Sequence, residues 1–191
     1  MSTAILVCHL LGLPDPRQQG SYNPGATNVL RLAGKAAGAL TLIGDLIKGM
    51  LPVYLAQSLH SSNTVAALCG LFAFLGHCYP VYFDFRGGKG VATAFGVVAM
   101  LHWPSCAAIA LLWVGTFALT RVASLASLLS WSLAPFAIYV WAEQYLNPVL
   151  ILIAILIYRH YPNLFLLVKG NENRFGELAK NSQSTDNNQA K

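Results

Sequence analysis

The chain has 191 residues, 55% of them hydrophobic and only 10% charged, with a formal net charge of +5. Roughly 25% charged residues are needed to clothe a soluble domain, so this composition, with a mean hydropathy of +0.53, excludes a water-soluble protein. The Lys and Arg residues are scattered through short loops and form no basic, aromatic-interleaved patch, so no nucleic-acid partner is expected.

Apolar runs occupy 3–13, 36–59, 64–76, 91–101, 105–119, 122–141 and 148–168. They do not alternate as strands would, and the longer ones suit a bilayer, so the fold class is all-α. A polytopic integral membrane helical bundle of seven segments is expected, in a single domain over 1–170. The first run, "MSTAILVCHLLGLP", is too short to cross about 30 Å of hydrocarbon and lacks the basic start and cleavage site of a signal peptide. It reads as a span without its front half. The polar, amide-rich segment 171–191 reads as a disordered cytoplasmic tail.

Between the runs the charge alternates. Arg17, Arg31 and Lys35 precede the second run, Arg86 and Lys89 the fourth and Arg121 the sixth, and the C-terminal part carries Arg159, Lys169, Arg174 and Lys180. "HSSN" at 60–63 and "LHWPS" at 101–105 carry no Lys or Arg, and "AEQYLNP" at 142–148 carries only Glu143. The positive-inside rule puts the basic set in the cytoplasm of a bacterial inner-membrane protein. Cys8, Cys69, Cys78 and Cys106 form neither a redox pair nor a zinc knuckle.

The unusual chemistry lies in the basic loops. "GSYNPGATNVLR" at 20–31 gathers Ser21, Asn23, Thr27, Asn28 and Arg31. It reads either as a helix-capping turn or as neutral donors with a guanidinium fork for phosphate. In "GHCYPVYFDFRGGKGVAT" at 76–93, Gly87, Gly88, Lys89 and Gly90 lead into an apolar helix. Backbone N–H groups at a helix start, with a lysine, suit an anion; a flexible turn is the other reading. It is not a Walker loop, since no Gly lies five before Gly88 and no Ser or Thr follows Lys89. "RHYPNLFLLVKGNE" at 159–172 places His160 and Asn163 on one helical face, while Arg159 reads as an interfacial anchor. Asp45 and Lys48 in "GDLIKG" read as an internal ion pair or, less favoured, a ligand contact. Ser124 in "SLAS" reads as a helix-packing residue or a phosphate donor. Gathered on one face, these clusters favour phosphate binding over turns alone.

In this order and spacing the three clusters resemble the acyl-phosphate:glycerol-3-phosphate acyltransferase family (PlsY type) of bacterial membranes; "GDLIKGMLP" and "SLAS" fit as well. The resemblance implies transfer of an acyl group from acyl-phosphate to the 1-hydroxyl of sn-glycerol 3-phosphate. Lysophosphatidic acid and phosphate are the products, in the first acylation of phospholipid synthesis, and a soluble enzyme would supply the donor. It implies ligand contacts at Ser21, Thr27, Arg31, Lys89, Ser124, His160 and Asn163. His160, Lys89 and Arg31 are the candidate catalytic groups, with Asn23, Asn28, Gly87, Gly88 and Gly90 added as phosphate contacts. No metal or cofactor is expected, since no paired-carboxylate or His/Cys ligand spacing occurs; no His is followed five positions later by Asp, so the histidine–aspartate motif of acyl-CoA-dependent acyltransferases is missing. Two departures stand out, Tyr22 where the family commonly has Gly and Leu166 where it often has Arg. A transporter of phosphate or an organic anion is the alternative, disfavoured because the polar clusters share one face and no repeated halves are visible.

Overall fold

In the computed structural model, residues 2–172, 174 and 175 are described; the expected tail lies almost wholly outside them. Eight helices follow in order: α1 Thr3–Leu10, α2 Ala26–Ser58, α3 Asn63–Cys78, α4 Val91–Leu101, α5 Trp103–Thr120, α6 Ala123–Ala142, α7 Leu146–Arg159 and α8 Tyr161–Val168. Single 3-10 turns stand at Val81–Phe83 and Glu143–Tyr145.

Among the described residues, four stretches are long and apolar enough to cross a membrane: Ala26–Ser58, Asn63–Phe83, Trp103–Thr120 and Ala123–Arg159. The outer surface agrees with a lipid solvent. Leu119 is 87% exposed, and Leu111, Phe136 and Tyr139 also lie bare, an arrangement water would penalise. Inside, Phe74, Trp131, Ile138, Leu152 and Leu156 form the core where α3, α6 and α7 meet.

Two boundaries differ from the expected ones. Helix α2 begins ten residues earlier than the run at 36–59, because "ATNVLRLA" is helical although polar. Gly34, at φ +81° and ψ −177°, interrupts the helix there. The run 148–168 is two helices, α7 and α8, parted at His160. Pro162 accounts for the break: it has no N–H for the Tyr158 carbonyl, and its ring collides with that carbonyl in a continuous helix.

Helix α4 has 11 residues, about 16 Å at 1.5 Å per residue, and relies on protein cover from α2, α3 and α5. Its crossing with α2 is backbone to backbone. A Cβ on Gly96 would overlap the Leu46 carbonyl oxygen, and one on Gly49 the Thr93 carbonyl oxygen. Gly96→Val is therefore expected to cost about 3 kcal/mol by overpacking, read as a lower Tm of the detergent-solubilised protein; an unchanged Tm would contradict the close crossing.

Bonds between loops show which helix ends lie together. Arg17 Nη1 donates to the Phe83 carbonyl at 3.4 Å, Arg159 Nη2 to the Gly87 carbonyl at 2.7 Å, and the Phe175 N–H to the Arg121 carbonyl at 2.8 Å. At the other end, Gln57 Nε2 reaches the Met100 carbonyl at 3.2 Å and the Tyr145 hydroxyl reaches Asn63 Oδ1 at 3.3 Å. All the basic loops thus share one end of the bundle and the nearly uncharged loops the other.

Candidate active site

The first loop is held in shape by Asn28, which is 2% exposed. Its Nδ2 donates to the Pro16 and Gln19 carbonyls at 2.9 and 3.1 Å, and its Oδ1 accepts the Ser21 N–H at 3.0 Å. Asn28 therefore braces the loop, which differs from its expected part as a phosphate contact: both halves of its amide are engaged. The brace presents Ser21, Asn23, Thr27 and Arg31 to a common cavity. It also holds Tyr22 at φ +56°, the left-handed region that costs a residue with a Cβ about 1–2 kcal/mol. Tyr22 is largely exposed, so the ring recovers little of that cost by packing. Tyr22→Gly is expected to raise stability by about 1 kcal/mol, measured as a higher Tm; a fall would show that the ring packs productively.

The second loop runs from the C-terminus of α3 to the N-terminus of α4. The carbonyls of Gly87 and Gly88 accept from Arg159 Nη2 at 2.7 and 3.1 Å, and the Arg159 guanidinium lies 5.2 Å over the Tyr79 ring. Gly90 caps α4 at φ +84°, where a Cβ would strike the Phe74 ring. Lys89 lines the cavity. Burial pulls its pKa down to about 8; Glu172 opposes the fall, while Arg159 and Arg31 add to it. A lysine so placed gains from receiving an anion.

At the α7–α8 break, the His160 N–H bonds to the Ile157 carbonyl at 2.9 Å, so the Leu156 carbonyl accepts the ring Nδ1–H instead, at 2.8 Å. A carbonyl can only accept, so Nδ1 carries the proton. Burial and the nearby Lys89 charge lower the His160 pKa to about 4. The ring is therefore neutral near pH 7, and Nε2 carries a lone pair.

Glu172 ties the third cluster to α6. Its Oε1 accepts from Asn163 Nδ2 at 2.7 Å and from the Ser124 hydroxyl at 2.9 Å. Ser124 directs its one proton to Glu172 here and offers the cavity a lone pair. Asn163 keeps a second amide proton. Arg31 Nε is buried without a partner among the described residues.

The cavity enclosed by these groups measures about 1690 Å³. Ser21, Asn23, Thr27, Asn28, Arg31, Gly87, Lys89, Gly90, Ser124, His160 and Asn163 all line it; Gly88 is not among its lining residues. Apolar side chains, Leu42, Phe95, Trp113, Val114 and Phe117, line the same cavity. Trp113 is fixed by its Nε1–H to Ser127 Oγ at 2.9 Å and stacks on Phe117, against which Phe175 closes edge-on. Asp45 and His77 also line the cavity. Asp45 pairs with Lys48 at 2.6 Å, the internal ion pair expected, and His77 Nδ1 stands 3.6 Å from the same carboxylate. Sequence reasoning left Glu172 without a task and gave Arg159 to the membrane interface; Pro162, two residues beyond His160, was the signal that this arginine ends a helix inside the protein.

A family model described as glycerol-3-phosphate acyltransferase matches residues 1–170. The chain belongs to the glycerol-3-phosphate acyltransferase family. A member from Methylococcus capsulatus is 48% identical over 178 residues, covering 92% of this chain and 90% of that protein. One from Pectobacterium carotovorum is 46% identical over 187 residues, covering 97% and 89%. Among solved structures, the glycerol 3-phosphate form of PlsY, an integral membrane glycerol 3-phosphate acyltransferase, superposes with a TM-score of 0.87 at 38% identity, covering 93% of this chain and 90% of that one. The lysophosphatidic acid form gives 0.85 at 37% identity with the same coverage. The acyltransferase family read from the three motifs is thus the family that sequence and structure comparisons return.

Proposed function

We propose that this protein transfers an acyl group from acyl-phosphate to the 1-hydroxyl of glycerol 3-phosphate, releasing lysophosphatidic acid and phosphate at the cytoplasmic face of a bacterial inner membrane. The observation that carries the reading is that Arg31 and Lys89 line the same cavity as the apolar Phe95, Trp113 and Phe117. Such a cavity suits two phosphorylated substrates, one with a long chain.

The acceptor hydroxyl attacks the acyl carbonyl carbon, the bond from that carbon to the phosphate oxygen breaks, and phosphate departs. The hydroxyl proton passes to the departing phosphate, so no covalent enzyme intermediate is needed. Arg31, Lys89 and Asn163 hold phosphoryl oxygens, and alignment with charge neutralisation supplies the acceleration. Neutral His160 accepts a hydrogen bond at Nε2 from the second hydroxyl of the acceptor, which orients it and leaves the single proton of the attacking hydroxyl directed at the departing phosphate.

Purified protein given palmitoyl-phosphate and glycerol 3-phosphate is expected to form lysophosphatidate and phosphate in the presence of chelator, and to form neither from acyl-CoA or acyl carrier protein. Acylation by acyl-CoA at a similar rate, or inactivation by chelator reversed with metal, would overturn the reading.

A further inference from the structure

Arg159 does not reach toward solvent or lipid headgroups, the usual destinations of an arginine at the end of an apolar helix. Its Nη2 donates to two successive carbonyls, Gly87 at 2.7 Å and Gly88 at 3.1 Å, and its planar face rests on Tyr79. Both peptides are trans, and in a trans peptide the N–H points opposite to the C=O. The peptide carrying the Gly87 carbonyl supplies the Gly88 N–H; the next supplies the Lys89 N–H. Drawing both carbonyls toward Arg159 therefore turns two consecutive N–H groups the other way. Neither makes a hydrogen bond among the described residues, and Lys89 lines the cavity.

The back of the loop is sealed. A Cβ on Gly87 would strike the His77 carbonyl and one on Gly88 the His77 ring, so the two peptides cannot turn over against α3 without displacing it. Paired N–H groups at the start of α4, beside a lysine, form an anion-holding arrangement whose orientation is otherwise free in a glycine-rich segment.

We propose that Arg159 is a positioning residue: by gripping the Gly87 and Gly88 carbonyls it sets the Gly88 and Lys89 N–H groups to hold a phosphoryl group of the substrates. Arg159 also lines the cavity, and the role proposed here runs through the two loop carbonyls that it holds. The inference rests on the reading of the cavity as a phosphoryl site, and the phosphoryl group can come from the acyl donor or from glycerol 3-phosphate.

The test uses the full chain in detergent, comparing wild type with Arg159→Met, which keeps length without donors, Arg159→Lys, and Tyr79→Leu, which removes the ring beneath the guanidinium. Each protein is read for KM of both substrates, for kcat, and for the Tm shift that inorganic phosphate or glycerol 3-phosphate produces relative to its own unliganded Tm. For Arg159→Met the KM of one substrate is expected to rise about tenfold or more, the loss of roughly one charge-assisted interaction, with the anion-induced Tm shift abolished. Arg159→Lys should fall between, and Tyr79→Leu should move the same KM by a few-fold. A rise confined to glycerol 3-phosphate assigns the loop to the acceptor, and one confined to acyl-phosphate assigns it to the donor; either supports the proposal. Unchanged KM for both substrates in Arg159→Met, or a loss confined to kcat with a wild-type Tm shift, overturns it. Should Arg159→Met fail to fold, Tyr79→Leu with unaltered KM and Tm shift is equally decisive. If wild type itself shows no shift with either anion, the phosphoryl-site reading fails first and the proposal with it.

Discussion

Lys89→Met is expected to lower kcat/KM for glycerol 3-phosphate by about 10³-fold, the loss seen when one preorganised charged donor is taken from a desolvated site. The same lysine gives a pH signature. With its pKa drawn down to about 8 by burial, the free protein loses the ammonium above that pH, and kcat/KM should decline there. Lys89→Arg keeps the charge to far higher pH, so in that variant the alkaline decline should disappear even if the maximum is lower. Stability runs the other way. Between about 8 and the ordinary 10.5 the unfolded chain holds a proton that the folded one has released, so stability rises with pH across that window. Activity that falls while Tm climbs is a pairing that general alkaline denaturation cannot produce. A pH–rate profile of Lys89→Arg with the wild-type decline intact would remove Lys89 from the site.

The second large effect is at His160. His160→Ala is expected to reduce kcat by about 10²-fold while leaving the shape of the profile between pH 6 and 9 unchanged, because the ring, with a pKa near 4, is already neutral there. Loss of an ionisation near neutral pH on substitution would show that the ring, rather than the departing phosphate, takes the proton. Here too stability carries a sign. From about pH 6.5 down to 4 the unfolded chain binds a proton that the buried ring refuses, so the folded state weakens as pH falls, and His160→Ala should blunt that acid sensitivity.

Much of this was legible in the chain. Scarce charge and helix-length apolar runs require a helical membrane protein, and the sites of unusual chemistry fall in the basic loops because the chain must return to one end to bring them together. The resemblance of three motifs to one family was specific for the same reason: their donors converge in space. What escaped was local. Asn28 and Arg31 read as loop residues because their polarity hides the helix that begins at Ala26. Gly34 changes the path of α2 without ending its hydrogen-bonded run. Asn28 looked like a ligand because an amide that braces a loop and one that binds phosphate are the same residue in sequence. Glu172 looked inert because a carboxylate among phosphate contacts is unfavourable until Asn163 and Ser124 are seen donating to it.

The break between α7 and α8 reaches further than topology. In an unbroken helix the Leu156 carbonyl belongs to the backbone N–H of His160; here it is released to the imidazole. Where the chain stops coiling and which ring nitrogen holds hydrogen are therefore one choice. A substitution that lets the helix run on, such as Pro162→Ala, would reclaim that carbonyl and free the ring to exchange its proton between nitrogens, altering the reaction while His160, Lys89 and Arg31 all stayed the same. The main chain at this point acts as part of the chemical apparatus, and a search confined to side chains would overlook it.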